Sequence, residues 1–204
     1  MSKQLHIWGH GTARTLRVYW ALHELHLEYV RHSVRTRTED MENESFLAIS
    51  PGKKIPALTY GKTKLTESGA ILEFLYRLAG CASQDAVYVA EIERWSCFAL
   101  MELDATALYV LRRHEGLFEI YGKAPAACSA ARDYFRRQIE VVDKHLDDKR
   151  DFLVGNSLSK ADIILGTCCF WALLCDLELP DFVDDWFRKV SSRNQYRKAI
   201  ESNT

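Results

Sequence analysis

Ser50-Pro51-Gly52-Lys53-Lys54-Ile55-Pro56-Ala57-Leu58, followed shortly by Thr66-Glu67-Ser68-Gly69-Ala70-Ile71, is the stretch whose reading decides the fold. Pro56–Tyr60 and Lys64–Thr66 carry strand-forming residues on either side of Gly61-Lys62, which predicts a hairpin. Ile71, Leu72, Leu75 and Leu78 then recur at helical spacing, so Ser68 to Leu78 is predicted to be a helix with one apolar stripe. The N-terminus of such a helix presents unpaired backbone N–H groups and a partial positive charge. Ser68 adds a hydroxyl at that end. A carboxylate fits there; plain N-capping by Ser68 is the other reading.

Working outward from that segment, Leu5-His6-Ile7-Trp8 is a short strand ended by Gly9-His10-Gly11. Ala13 to Leu25 is a helix with Val18, Ala21, Leu22 and Leu25 on one face, and Glu28 to Val34 is a second strand. Strand, helix, strand, hairpin and helix is the order of a thioredoxin-like fold. After Ala79-Gly80-Cys81-Ala82-Ser83 the period changes. Val87 to Leu111 places Tyr88, Ile92, Trp95, Ala99 and Leu103 at helical spacing. Cys128, Ala131, Phe135, Ile139, Val142 and Leu146 follow at intervals of three and four, with Pro125 in the first turn, where its missing N–H is harmless. Ser159 to Cys175 is almost entirely apolar, as a central helix would be. Ser159-x-x-Asp162 at its start is a capping box. The second half shows no strand pattern. The expectation is therefore an α+β thioredoxin-like domain over 1–79, a boundary between Ala79 and Asp85, and an all-α helical bundle over 86–204.

Bulk properties narrow the function. The 204 residues are 48% hydrophobic and 27% charged, with a formal net charge of −1, so nucleic acid is not an expected partner. Arg112-Arg113 and Arg136-Arg137 lie within helical patterns and read as solvated faces. Met1 to Gln4 is polar, and the following apolar stretch is broken by His6 and His10, so no signal peptide is expected. The longest nearly apolar run, Ile163 to Cys175, falls short of the about 20 residues a bilayer requires. No membrane partner is expected, and the cytoplasm is the expected location. Of the six cysteines none forms a C-x-x-C pair. Cys97, Cys128, Cys168 and Cys169 fall on apolar helical faces, as buried free thiols would. Adjacent Cys168 and Cys169 point to different sides of a helix, and the histidines show no ligand spacing, so no metal is expected.

Three motifs make the chain resemble the cytosolic glutathione S-transferases, close to the theta and bacterial classes. Ser50 to Leu58 resembles their "N-P-x-x-K-V-P-x-L", with Ser50 in place of asparagine. The resemblance implies a cis peptide bond before Pro56, with the backbone of Ile55 open to an extended ligand such as glutathione. Glu67-Ser68 resembles their "E-S" at the third helix, twelve residues after Pro56. The resemblance implies that the γ-glutamyl carboxylate would sit on Ser68 and the helix end, with Glu67 pairing with the ammonium. Val154 to Ile163 resembles the start of their sixth helix, a folding element.

The same resemblance places the thiol-activating donor at the first helix. Counting back from Arg17-Val18, it falls on Thr12, assisted by the backbone amides of Ala13 and Arg14. Many bacterial relatives have a serine one place later, where this chain has Ala13. His10 is the rival donor, with an exposed loop histidine as its plainer reading. Lys54 is placed at the glycine carboxylate, with Lys53 and Arg37 as assistants. Glu93 is either a contact to glutathione across a homodimer or a surface carboxylate. His10, Phe98, Met101, Leu108, Tyr109 and Phe118 are candidates for a pocket holding a small hydrophobic electrophile. The implied activity is conjugation of glutathione, as co-substrate, to that electrophile, in a detoxifying role. The alternatives are a glutathione- or ligand-binding protein with little turnover, because Ala13 lacks the usual hydroxyl, and a protein-interaction module.

Overall fold

In a computed structural model, residues 4–204 are described. The chain divides into two compact units: one is the chain up to Ala82 together with Ser192–Thr204, the other is Ser83–Ser191.

The first unit is thioredoxin-like. Strand β1 (Leu5–Trp8) runs parallel to β2 (Tyr29–His32) and antiparallel to β3 (Ala57–Tyr60), which pairs antiparallel with β4 (Thr63–Leu65). The sheet order is β2-β1-β3-β4. Leu5 and Ile7 alternate inward on β1, as strand geometry dictates. Helix α1 (Ala13–Glu24) buries Val18, Ala21 and Leu22, and stops where His26 takes a left-handed φ of 52°. Histidine tolerates that conformation better than most residues do. A 3₁₀ turn (Glu39–Glu42) and α2 (Glu44–Leu47) bring Met41 and Phe46 onto a cluster with Val34, Ile55 and Ala57, against which Trp8 and Ile49 pack. Helix α3 (Ser68–Leu78) packs on α1 and buries Ile71, Leu72 and Leu75, leaving Leu78 at the exposed rim.

The second unit is all-helical among its described residues. Asp85 caps α4 (Ala86–Phe98), its carboxylate accepting from the Val87 and Tyr88 N–H groups at 2.8 and 3.1 Å. The helix then widens into π-helical turns over Ala99–Leu108, regains α geometry in α5 (Tyr109–Leu111), widens again over Arg112–Gly116 and ends in α6 (Phe118–Tyr121). A single regular helix to Leu111 was the expectation. Leu103, Ala107, Leu108 and Leu111 face the core through and beyond the wider turns. Helix α7 (Pro125–His145) begins on Pro125 and buries Cys128, Ala131, Phe135, Ile139 and Val142. Helix α8 (Lys160–Leu174) is buried along nearly its whole length, with α4 and α9 (Asp181–Ser191) packed on it. Cys128, Cys168 and Cys169 are buried as expected, but Cys97 is exposed, on the outer side of α4. Among the described residues no helix is long and apolar enough to cross a membrane.

The capping box at α8 is formed. The fully buried Asp162 carboxylate accepts the Ser159 N–H at 2.8 Å, the Ser159 hydroxyl at 2.7 Å and the Leu153 N–H at 2.7 Å. Burial pushes the Asp162 carboxyl up to about 6, while the three donors favour its ionised form. A raised carboxyl pKa favours the fold below the ordinary value of 3.8, and that contribution is lost as pH rises through about 6. Ser159→Ala is expected to cost about 1 kcal/mol near neutral pH. It also withdraws a donor from the ionised carboxylate, so its cost is smaller at pH 4.5 than at pH 7.5. Urea unfolding at the two pH values checks this; an equal loss at both contradicts it.

The last helix, α10 (Asn194–Ser202), corrects the expected boundary at 86–204. It packs along α1, where Tyr196 meets Trp20 edge-on with ring centroids 4.7 Å apart. Arg193 forms a two-pronged ion pair with Glu24, both bonds at 2.7 Å. Helical periodicity reveals the apolar stripe of a helix but not which unit will cover it.

Candidate functional site

The loop after β1 is fixed from three sides. The Gly9 N–H donates to His32 O at 3.1 Å, and the Tyr19 hydroxyl donates to Gly9 O at 2.9 Å. Gly9 has φ 102°, and a Cβ there would lie 2.4 Å from the Ile55 Cβ. Glycine is therefore required for the loop to lie against Ile55. The Ile55–Pro56 bond is cis. The preceding turn is closed by Ser50, whose hydroxyl accepts the Lys54 N–H at 3.1 Å and donates to Lys54 O at 2.8 Å. That is the work serine does in the position where asparagine was expected. Lys54 and Arg37 are exposed, whereas the Lys53 ammonium is engaged with Glu42 at 2.6 Å.

Ser68 is the first residue of α3, not its cap. The cap position is Glu67, whose side chain makes no capping bond. Ser68 therefore does not stand at the cap position, and the cap residue offers the first-turn N–H groups no side-chain acceptor. Beneath Ser68 lies a residue the sequence reading used only as a counting mark. Arg17, fully buried in α1, donates from Nη1 to the Ser68 hydroxyl at 3.2 Å. An arginine at a buried position of an otherwise apolar helix face was the available signal, since buried charge is costly unless paired. Glu67 is exposed and has φ 65° and ψ 111°, a conformation that non-glycine residues seldom adopt. Such backbone conformations concentrate at functional sites.

Thr12 is the N-cap of α1. Its hydroxyl accepts the Thr15 N–H at 3.0 Å, and the Thr15 hydroxyl accepts the Thr12 N–H at 2.9 Å. Neither bond uses the Thr12 hydroxyl hydrogen. His10 departs from its expected exposure: it is 4% exposed, with Nε2 2.9 Å from the Ser33 hydroxyl. Its Nδ1 has no partner among the described residues. Burial, and then the charges of Arg31 and Arg35, lower its pKa from 6.5, so the ring is neutral at pH 7 and brings no positive charge to the loop.

In the helical unit, Glu93 forms an ion pair with the buried Lys160 at the start of α8. Phe98 and Tyr109 are half-buried and Met101 is exposed, on and beside the π-helical stretch. Leu108, expected in a pocket, is fully buried in the core. Phe118 is exposed, with the Lys123 ammonium 4.8 Å above its ring. Among the described residues no cluster of three or more His, Cys, Asp or Glu is placed to hold a metal ion.

Residues 3–77 match the family model of the glutathione S-transferase N-terminal domain, and residues 99–193 match that of the C-terminal domain. The chain belongs to the glutathione S-transferase superfamily. It is 25% identical, over 90% of its length and 84% of the relative's, to the glutathione S-transferase TCHQD of Arabidopsis thaliana. To the theta-1 enzyme of Rattus norvegicus it is 26% identical, over 69% of the chain and 61% of the relative. Among solved structures, a glutathione transferase of Pseudomonas putida with one glutathione disulfide bound per subunit superposes with a TM-score of 0.85 at 22% identity, over 97% of this chain and 91% of that one. The theta-class enzyme of Xanthomonas axonopodis pv. citri, solved with glutathione bound, gives 0.83 at 19% identity, over 97% of each chain. These likenesses establish the transferase fold.

Proposed function

We propose that the protein binds glutathione in its thioredoxin-like unit and conjugates it to small hydrophobic electrophiles. The observation that carries this reading is the α3 N-terminus. Ser68 is backed by the buried Arg17, the Glu67 side chain does not cap the first-turn N–H groups, and Glu67 is held in a rare conformation beside them. This arrangement suits the γ-glutamyl end of glutathione: carboxylate on Ser68 and the helix end, ammonium on Glu67. Ile55 offers its backbone to the cysteinyl residue, and Lys54 offers a cation to the glycine carboxylate.

The chemistry requires a thiolate near pH 7. A free thiol has a pKa of about 8.5. Lowering it by about two units takes roughly 2.7 kcal/mol of preferential stabilisation of the anion. Thr12 supplies one hydroxyl donor, and the amides of Ala13 and Arg14 with the α1 dipole supply the rest. The thiolate then attacks an electrophilic carbon: a C–S bond forms, and the leaving group departs with its electron pair, chloride from a chlorinated nitrobenzene. Phe98, Met101 and Tyr109 are proposed to line the electrophile site, with His10 as a neutral neighbour of the thiol loop.

Retention on immobilised glutathione tests the binding, and turnover of a chlorinated nitrobenzene tests the chemistry. Retention without turnover selects the second reading, a binding protein whose chemistry is limited by Ala13. No retention at all leaves a protein-interaction role for the fold.

A homodimer in the cytoplasm is part of the proposal, with Glu93 shared between its salt bridge to Lys160 and the partner's glutathione ammonium. Sedimentation of the protein at micromolar concentration is expected to give twice the chain mass. A monomer removes the shared role of Glu93.

A further inference from the structure

The end of α10 lies directly on the N-terminus of α1. Asn203 uses both ends of its side-chain amide there. Its Nδ2 donates to Thr12 O at 3.1 Å. Its Oδ1 accepts the Gly11 N–H at 3.1 Å and the Thr15 hydroxyl at 2.6 Å. The Gly11 N–H also reaches the Asn203 backbone carbonyl at 2.8 Å. A flipped amide would set its N–H₂ against the Gly11 N–H, donor against donor, so this orientation is fixed by its partners. The helix that carries Asn203 is moored along α1 by the Arg193–Glu24 ion pair, the Tyr196–Trp20 contact and a 2.9 Å bond between His23 and Ser202.

The consequence lies in where protons go. The Thr15 hydroxyl has one hydrogen and three acceptors within reach: Asn203 Oδ1 at 2.6 Å, Thr12 O at 2.8 Å and Thr12 Oγ1 at 3.0 Å. The shortest contact takes it. Thr15 then accepts the Thr12 N–H, and Thr12 accepts the Thr15 N–H. The Thr12 hydroxyl hydrogen then has two directions open to it, the Thr15 oxygen 3.0 Å away and an acceptor outside the pair. A hydroxyl that accepts a hydrogen bond is also a stronger donor. Asn203 further pins the Gly11 amide and the Thr12 carbonyl, on either side of the Thr12 side chain.

We propose that Asn203 is a positioning residue for the thiol site: by holding the Gly11 amide, the Thr12 carbonyl and the Thr15 hydroxyl it fixes the Thr12 side chain where it can donate to the sulfur. This rests on the glutathione reading above. The test is the thiolate absorbance of bound glutathione against pH, in the full-length protein. Asn203→Ala is expected to raise the bound-thiol pKa by about half a unit, a roughly threefold change in its acid constant. The KM for glutathione should change less than twofold, because Asn203 touches none of the groups assigned to its ends. Asn203→Asp keeps the acceptor, loses the donation to Thr12 O and adds a negative charge, so its shift should be larger. Because Asn203 acts through Thr15, Asn203→Ala combined with Thr15→Val should shift the pKa no further than the stronger single variant. An unchanged thiol pKa in Asn203→Ala, or fully additive shifts in the double variant, overturns the proposal. Wild-type protein that binds no glutathione in calorimetry overturns the function and this role together, and that result is visible before any variant is made.

Discussion

Glu67→Gln and Ser68→Ala are each expected to weaken glutathione binding by about ten- to a hundredfold while leaving helical content unchanged. A hydrogen bond to a charged group contributes about 1.5–3 kcal/mol, and each side chain is assigned one such contact at the γ-glutamyl end. Glu67→Gln keeps the length of the side chain and removes only its charge. Glu67 is exposed and makes no capping bond, so the change should leave α3 intact. Ser68→Ala removes a hydroxyl that is 6% exposed and takes an acceptor from the Arg17 guanidinium. Some of its effect will therefore appear as a lower melting temperature, which Glu67→Gln should not share. Calorimetric titration with glutathione decides it. Unchanged affinity in both variants would leave the proposed site without a basis.

The contrast between Ser68 and Arg17 shows what could be read from the sequence. Ser68 was legible because its motif is contiguous: a hairpin, an exposed turn and a helix start lie within a few residues. Arg17 was not, because its role depends on α1 meeting α3, and pairing across elements leaves no local period. The fold followed the same division. Ile71, Leu72 and Leu75 marked α3 to the residue, and the alternating Leu5 and Ile7 marked β1. The placement of α10 on α1 was hidden, since Tyr196 and Ala199 declare an apolar stripe but not its partner. The widened turns over Ala99–Leu108 were hidden too, because apolar residues on every side of that stretch satisfy a π and an α register equally well. His10 was misread for another reason. Flanking glycines suggested an exposed loop, but Val34 O binds the His10 N–H at 3.2 Å and Ser33 meets its ring, which draws the imidazole inward.

Thr12 and Ala13 are where the proposed chemistry is tested. Thr12→Val removes the only side-chain hydroxyl assigned to the thiolate. The lost donor corresponds to about 1.5–3 kcal/mol, or roughly one to two pKa units. A higher thiol pKa means less thiolate at neutral pH, so the rate there should fall roughly three- to twentyfold and recover as pH rises. Thr12 is also the N-cap of α1, so the same variant loses about 1 kcal/mol of stability. Thr12→Ser separates the two effects: it keeps the cap and the donor, and should restore both stability and rate. Some activity should survive in Thr12→Val, because the helix dipole and the amides of Ala13 and Arg14 remain. Ala13→Ser is the converse change. It adds a hydroxyl in the first turn of α1, where Ala13 is half-buried and offers no side-chain donor. If that missing hydroxyl limits the chemistry, turnover at neutral pH should rise and the thiol pKa should fall. Thiolate absorbance of bound glutathione against pH, in wild type and the three variants, is the deciding measurement. The same thiol pKa in wild type and Thr12→Val would remove Thr12 as the donor. Activation would then fall to the backbone amides, since a buried, neutral His10 has no charge to offer the sulfur.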